Sequence, residues 1–199
     1  TGFLPFMDRF GQYTHRDWPG KIHTEEQLIQ NRQEEEKDLA AFPAPPNRSK
    51  YGGWKAGPRF EATDFFRTQK HQGKWWLVDP EGYLFWSNGV NCVHPHSGTT
   101  GLGGREAYFE WLPEKDGPYG EFYGRSRGSY RHFYKDFGPH ETYDFSSSTL
   151  KRKSGEECNS EFTRLAHARL RSWGMNTFAN ASSRELYMEC KTPYVATVW

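Results

Sequence analysis

Apolar positions along this chain fall into short, separated clusters, and each cluster has its own period. The clearest is Lys74-Trp-Trp-Leu-Val-Asp79, followed by Pro80-Glu-Gly82 and then Tyr83-Leu-Phe-Trp-Ser87. Two aromatic and β-branched runs around a proline and a glycine able to take positive φ predict a β-hairpin. Upstream, Thr24-Glu-Glu-Gln27 has the form of a capping box and opens a helix over 25–40. Its apolar contacts are sparse (Leu28, Ile29, Leu39), and its many carboxylates, Glu34 to Glu36 among them, predict a solvated face. Ala44-Pro-Pro-Asn47 then begins a loop.

Regular periodicity returns late in the chain. Ser160 is placed as an N-cap, Phe162, Leu165, Ala166, Leu170 and Trp173 share a helical face, and Gly174 suits the C′ position. Asn176-Thr-Phe-Ala-Asn180 reads as a short strand, Ser183 as the cap of a helix over 184–190, and Tyr194-Val-Ala-Thr-Val-Trp199 as a further strand. Between these regions, residues 92–158 read as one long irregular loop rich in Gly, Tyr, Phe, Arg and His. From Leu84 onward the order is strand, loop, helix, strand, helix, strand, which predicts a parallel sheet with right-handed crossovers. The expected fold is α/β. It is a partial (β/α)₈ barrel, comprising the first three strands at 84–89, 177–179 and 194–198, preceded by the hairpin and an N-terminal helix and loop segment from a preceding module. Residues 1–73 form an extension and linker on this reading, and 74–199 carry the hairpin and the first βαβαβ part. The opening residues show neither an initiator Met nor a signal peptide, and the expectation is a start inside a longer product.

Composition narrows the function classes. Lys and Arg number 26 against 25 Asp and Glu, so the net charge of +1 gives no electrostatic reason to bind nucleic acid or an anionic membrane. Eleven Leu, two Ile and five Val stand against 15 Phe, 11 Tyr and 8 Trp, so the core material is largely aromatic. No apolar run approaches the ~18 residues of a membrane-spanning helix. Cys92, Cys158 and Cys190 fit neither a disulfide framework nor a zinc motif.

Asp8-Arg-Phe-Gly-Gln12, His15-Arg-Asp-Trp-Pro-Gly-Lys21, Lys74-Trp-Trp-Leu-Val-Asp-Pro-Glu-Gly82 and Phe85-Trp-Ser-Asn-Gly-Val-Asn91, with Leu170-Arg-Ser-Trp-Gly-Met-Asn-Thr-Phe-Ala-Asn180, resemble the β-agarase-like enzymes of glycoside hydrolase family 50. The resemblance implies a clan A barrel behind a β-sandwich module, acting on galactose-containing polysaccharide without a cofactor. It also implies retention by two glutamates, an acid/base after barrel strand 4 and a nucleophile after strand 7. The strand-4 acid commonly follows Asn, and this chain has no Asn-Glu dipeptide. Retaining hydrolysis needs two carboxyl groups about 5–5.5 Å apart. The catalytic pair is therefore expected outside these residues, and the span alone is expected to be inactive.

What the chain offers instead is a substrate-contact rim. Barrel enzymes place their chemistry at the C-terminal ends of the strands. Asn91, His94 and His96 follow the first expected strand, Asn180 the second and Trp199 the third; Trp111 lies in the aromatic loop. Amides and imidazoles can bond sugar hydroxyls while aromatic rings take the apolar face of a pyranose. Each has a plainer reading, as a strand end, a solvated loop or a packed aromatic. Cys92 with His94-Pro-His96 suggests a metal only weakly, with no further ligand at motif spacing, and Glu106 with Glu110 reads as solvated charge. The partners expected are a poly- or oligosaccharide and the remainder of the barrel, with secretion or a periplasmic location implied by the resemblance. The alternatives are a non-catalytic carbohydrate-binding protein and an interaction protein that pairs through its open sheet edge.

Overall fold

The computed structural model describes residues 2–127 and 138–197. Two compact units interleave along the chain: residues 1–32 with 95–159, and 33–94 with 160–199.

In the first unit, β5 (Thr99–Gly101), β6 (Tyr123–Arg125) and β7 (Glu141–Asp144) form an antiparallel sheet in the order β5-β7-β6. Helix α2 (Phe145–Ser154) follows β7 directly. Asp144 caps α2, its side chain accepting from the backbone N–H of Ser146 and Ser147. The region read as irregular over 92–158 therefore holds three strands and a helix among its described residues. Its strands are three or four residues long, too short to show a period. Its core is aromatic: Tyr143 and Phe145 pack at 4.8 Å and Phe109 stacks on Phe145 at 5.4 Å, beside buried Leu102. The N-terminal segment docks on this core through Met7, which bridges Phe109 and Tyr13. Asp8 then folds the next turn back on itself, its Oδ1 accepting from the N–H of Phe10 and Gln12 at 2.9 and 2.8 Å.

Helix α1 (Glu25–Ala41) begins at the expected box: Gln27 Oε1 accepts from Thr24 N and Thr24 Oγ1 accepts from Gln27 N, both at 3.3 Å. Only Leu28 is buried, so ion pairs rather than an apolar stripe hold the helix. Glu25 pairs with Arg152 in the first unit. In the second unit, Glu35 binds Arg169 through two hydrogen bonds and Glu36 meets Arg164 at 3.2 Å. The expectation of a wholly solvated acidic face is corrected accordingly. Three of those carboxylates are anchors.

The second unit contains the hairpin, with one strand more than expected. β1 (Arg67–His71), β2 (Lys74–Val78) and β3 (Leu84–Phe85) form an antiparallel sheet in chain order. Gln72 and Gly73, both at positive φ (50° and 78°), make the two-residue turn between β1 and β2. Polar β1 carries no hydrophobic signal, and its partner alone reveals it. Asp79, fully buried, accepts from Tyr83 N–H at 2.9 Å and from the Ser49 hydroxyl, pinning the 49–53 loop onto the β2–β3 turn.

The segment 84–89, expected as one parallel strand, is divided. Leu84–Phe85 stays in the hairpin, and β4 (Gly89–Val90) pairs in parallel with β8 (Thr177–Phe178), register Gly89↔Thr177 and Val90↔Phe178. A Cβ on Gly89 would lie 1.7 Å from the Thr177 carbonyl oxygen, so only glycine permits this approach. The third expected strand, 194–198, contributes one parallel bridge, Phe178↔Tyr194, among the described residues. The described residues form a mixed α/β fold, and no closed barrel is present among them.

Helix α3 (Cys158–Ser172) starts two residues before the expected Ser160 cap, and Gly174 sits at φ +75 beyond its end. Leu165, Ala166 and Leu170 are buried, whereas Trp173 is exposed. Helix α4 (Arg184–Met188) follows Ser183, whose side chain makes no cap bond. The core here is Ala166, Leu170, Phe178 and Leu186, flanked by Val90, Val93, Met175 and Tyr187.

Candidate functional site

Because β4 and β8 run parallel, the residues after them leave the sheet at the same end. Ala179 N–H donates to Val90 O at 2.7 Å and Cys92 N–H donates to Asn180 O at 3.0 Å, so the ladder continues past both strands. Asn91 and Asn180 thus share an edge, and both are exposed. Each is followed by a non-glycine residue at positive φ, Cys92 at 55° and Ala181 at 60°, a conformation that costs energy and turns the chain sharply. Asn180 Oδ1 accepts from Thr197 Oγ1 at 2.5 Å. Ser182 Oγ accepts from Val93 N–H at 3.1 Å and donates to Ala179 O at 3.0 Å, while the Tyr187 hydroxyl also donates to Ala179 O at 3.1 Å. The rim of the second unit is built by these bonds.

His94, in the same unit, is half-buried, and its Nδ1 is enclosed with no hydrogen-bond partner among the described residues. His96 lies in the first unit, with its Nδ1 2.9 Å from Asp144 Oδ2 and 3.1 Å from Ser147 Oγ. Burial pushes the Asp144 carboxyl upward, but hydrogen bonds from Ser147, His96 and Ser146 outweigh it and hold the group below the ordinary aspartate range. Trp111 is also in the first unit. The Arg152 guanidinium lies 4.9 Å from its ring centroid and 3.8 Å from that of Tyr119, so Trp111 helps to enclose a buried cation. Trp199 lies outside the described residues, as do Tyr130, Phe133, Tyr134 and Phe137 of the aromatic stretch. Among the described residues, no three His, Cys, Asp or Glu side chains form a metal-binding group.

Sequence reasoning missed Asp144 and Ser147. The available signal was Asp144-Phe-Ser-Ser-Ser148, an acidic cap followed by hydroxyl residues, which the surrounding glycine-rich composition obscured.

No family model matches the sequence. Among curated proteins, β-agarase B of Vibrio sp. (strain JT0107) is 32% identical over all of this chain and 23% of its own length. β-Agarase A of the same strain is 26% identical over all of this chain and 20% of its own length. The chain thus spans about a fifth to a quarter of these relatives. Among solved structures, one of an exo-β-agarase superimposes with a TM-score of 0.88 at 30% identity, over 97% of this chain and 31% of that one. The agarase AgWH50C gives 0.86 at 31% identity, over 96% and 29%. PfGH50B gives 0.88 at 29% identity, over 97% and 31%. Over the part that it spans, the chain is β-agarase-like and similar to structures of the glycoside hydrolase family 50 type. It corresponds to less than a third of each of these proteins.

Proposed function

We propose that this chain forms the substrate-binding front of a retaining β-agarase-type hydrolase acting on galactose-containing polysaccharide. On this reading it supplies the ends of the first barrel strands, and the catalytic glutamates reside on later strands. The observation that carries it is the parallel pairing of β4 with β8, whose shared exit edge carries Asn91 and Asn180. Amide side chains at that edge suit hydroxyl recognition. Asn91 has no bond to another described side chain, and Asn180 keeps its amide N–H groups available while its carbonyl engages Thr197. A polymeric galactan does not cross a membrane unaided, so the reading carries with it action outside the cytoplasm, secreted or periplasmic. The test is turnover of agarose by the complete enzyme carrying Asn91→Ala and, separately, Asn180→Ala. Loss of kcat/KM with unchanged thermal stability supports the reading. Unchanged kinetics for both variants overturns the assignment of the rim.

A further inference from the structure

The first unit contains a cleft of about 390 Å³ walled in part by His96, Phe122, Thr142, Asp144, Lys151 and Asn159. The His96 side chain is 67% exposed, whereas that of Asp144 is 10% exposed. The chemistry of the pair dictates the imidazole's tautomer. An ionised carboxylate only accepts hydrogen bonds. Asp144 Oδ2 accepts a hydrogen bond from the Ser147 hydroxyl at 2.6 Å, and His96 Nδ1 lies 2.9 Å from the same oxygen. Nδ1 must therefore carry a proton, and neutral His96 keeps Nε2 as a lone-pair acceptor. Asp144 cannot rotate away, because its Oδ1 accepts from the N–H of Ser146 and Ser147, both at 3.1 Å, at the start of α2.

The rest of the lining matches that polarity. Lys151 is neutralised by Glu121 at 2.6 Å and Glu156 at 3.0 Å, so among the described residues the cleft lining offers no free cation for an anionic ligand. What remains beside the ring of Phe122 is the His96 Nε2 acceptor with the hydroxyls of Thr99 and Thr142, which can both donate and accept. A neutral ligand with several hydroxyl donors and one apolar face meets these requirements, and a pyranose has both.

We infer that this cleft binds a galactose-based sugar unit, with His96 Nε2 accepting from a sugar hydroxyl and Asp144 acting as the positioning residue that fixes the ring and its tautomer. The inference rests on the galactan-directed reading above.

The experiment uses the 199-residue chain with ¹⁵N-labelled histidine and asparagine, probed with an agarose-derived tetrasaccharide, with cellotetraose and with calcium chloride. Two-bond ¹H–¹⁵N spectra report the tautomer of His96. The expected result is a single Nδ1–H form whose Nε2 resonance moves on adding the agarose tetrasaccharide and much less with the other two. Asp144→Asn keeps an efficient helix cap, and is expected to mix the tautomers and weaken the tetrasaccharide about tenfold. Ser147→Ala leaves the cap intact and is expected to have a smaller effect of the same kind. A shift at the Asn91 and Asn180 amides with His96 unmoved overturns the cleft while leaving the agarase-type reading in place. Silence at all three overturns the cleft and removes the support from Asn91 as well. A calcium response without a sugar response overturns the inference in favour of a cation site, and weaker binding by Asp144→Asn with the tautomer unchanged reduces Asp144 to a structural cap.

Discussion

The Cys92 amide donates to the Asn180 carbonyl across 3.0 Å, beyond the ends of the two parallel strands, which stop at Val90 and Phe178. This bond ties the two exits together, so the backbone holds Asn91 and Asn180 at one edge, and Thr197 adds a side-chain bond to Asn180. The backbone of such an edge is preorganised for a ligand, so only the side-chain rotamers remain to be ordered on binding.

In the complete enzyme, Asn91→Ala is expected to lower kcat/KM about tenfold, the loss of one or more hydroxyl bonds worth about 0.5–1.5 kcal/mol each. Its melting temperature should not move, because the side chain is exposed. An inert control on α1 must avoid the ion-paired carboxylates such as Glu35, which binds Arg169. Exposed Lys37 serves instead, and Lys37→Ala should change neither quantity.

Gly82 lies at φ +92, and a Cβ there would come 2.2 Å from the Phe60 carbonyl oxygen. Strain and clash add at this position. Gly82→Val is expected to cost about 2–3 kcal/mol, read as a lower urea midpoint with an unchanged slope. An unaltered midpoint would show that this turn contributes nothing to the measured transition.

His167 is buried against Phe178, its Nδ1 bonded to Thr192 Oγ1 at 2.8 Å. Burial lowers its pKa, and the Glu189 carboxylate only partly opposes this. The unfolded chain therefore binds this proton more readily than the folded one. Stability supplied by neutral His167 is present above the unfolded value of about 6.5 and is lost as pH falls through it toward the lower folded value. Equilibrium unfolding between pH 7.5 and 5 should show this decline, and His167→Gln should flatten it. Asp144 behaves oppositely in origin, being depressed by its hydrogen bonds. Its contribution persists until pH falls to about 4 and below, so the two effects separate along the pH axis.

The 199-residue chain by itself is expected to release no reducing ends from agarose. Of the expected barrel strands, the described residues contain β4, β8 and the bridge at Tyr194, and on the proposed retaining reading the carboxylates belong to two later strands. Turnover abolished by changing one of the chain's own Glu or Asp residues would refute this expectation.

Local chemistry made much of the chain legible from its residues alone. The Thr24–Gln27 box starts α1, Gly174 ends the helix before β8, and Pro80-Glu-Gly82 turns the hairpin, because caps and turns depend on neighbouring backbone groups. The family resemblance was legible for a similar reason, since it rests on contiguous stretches such as Asp8 to Gln12. Tertiary structure decided the rest. β1 has no apolar signal and exists through its ladder to β2. The chain changes sheets between Phe85 and Gly89, where no single residue announces the switch. The sheet within 92–158 depends on Tyr143, Phe145 and Phe109 meeting from distant positions, and the His96–Asp144 pair spans 48 residues of chain. Contacts of that separation leave no periodic trace, because the energy that selects them is released only when the chain closes on itself.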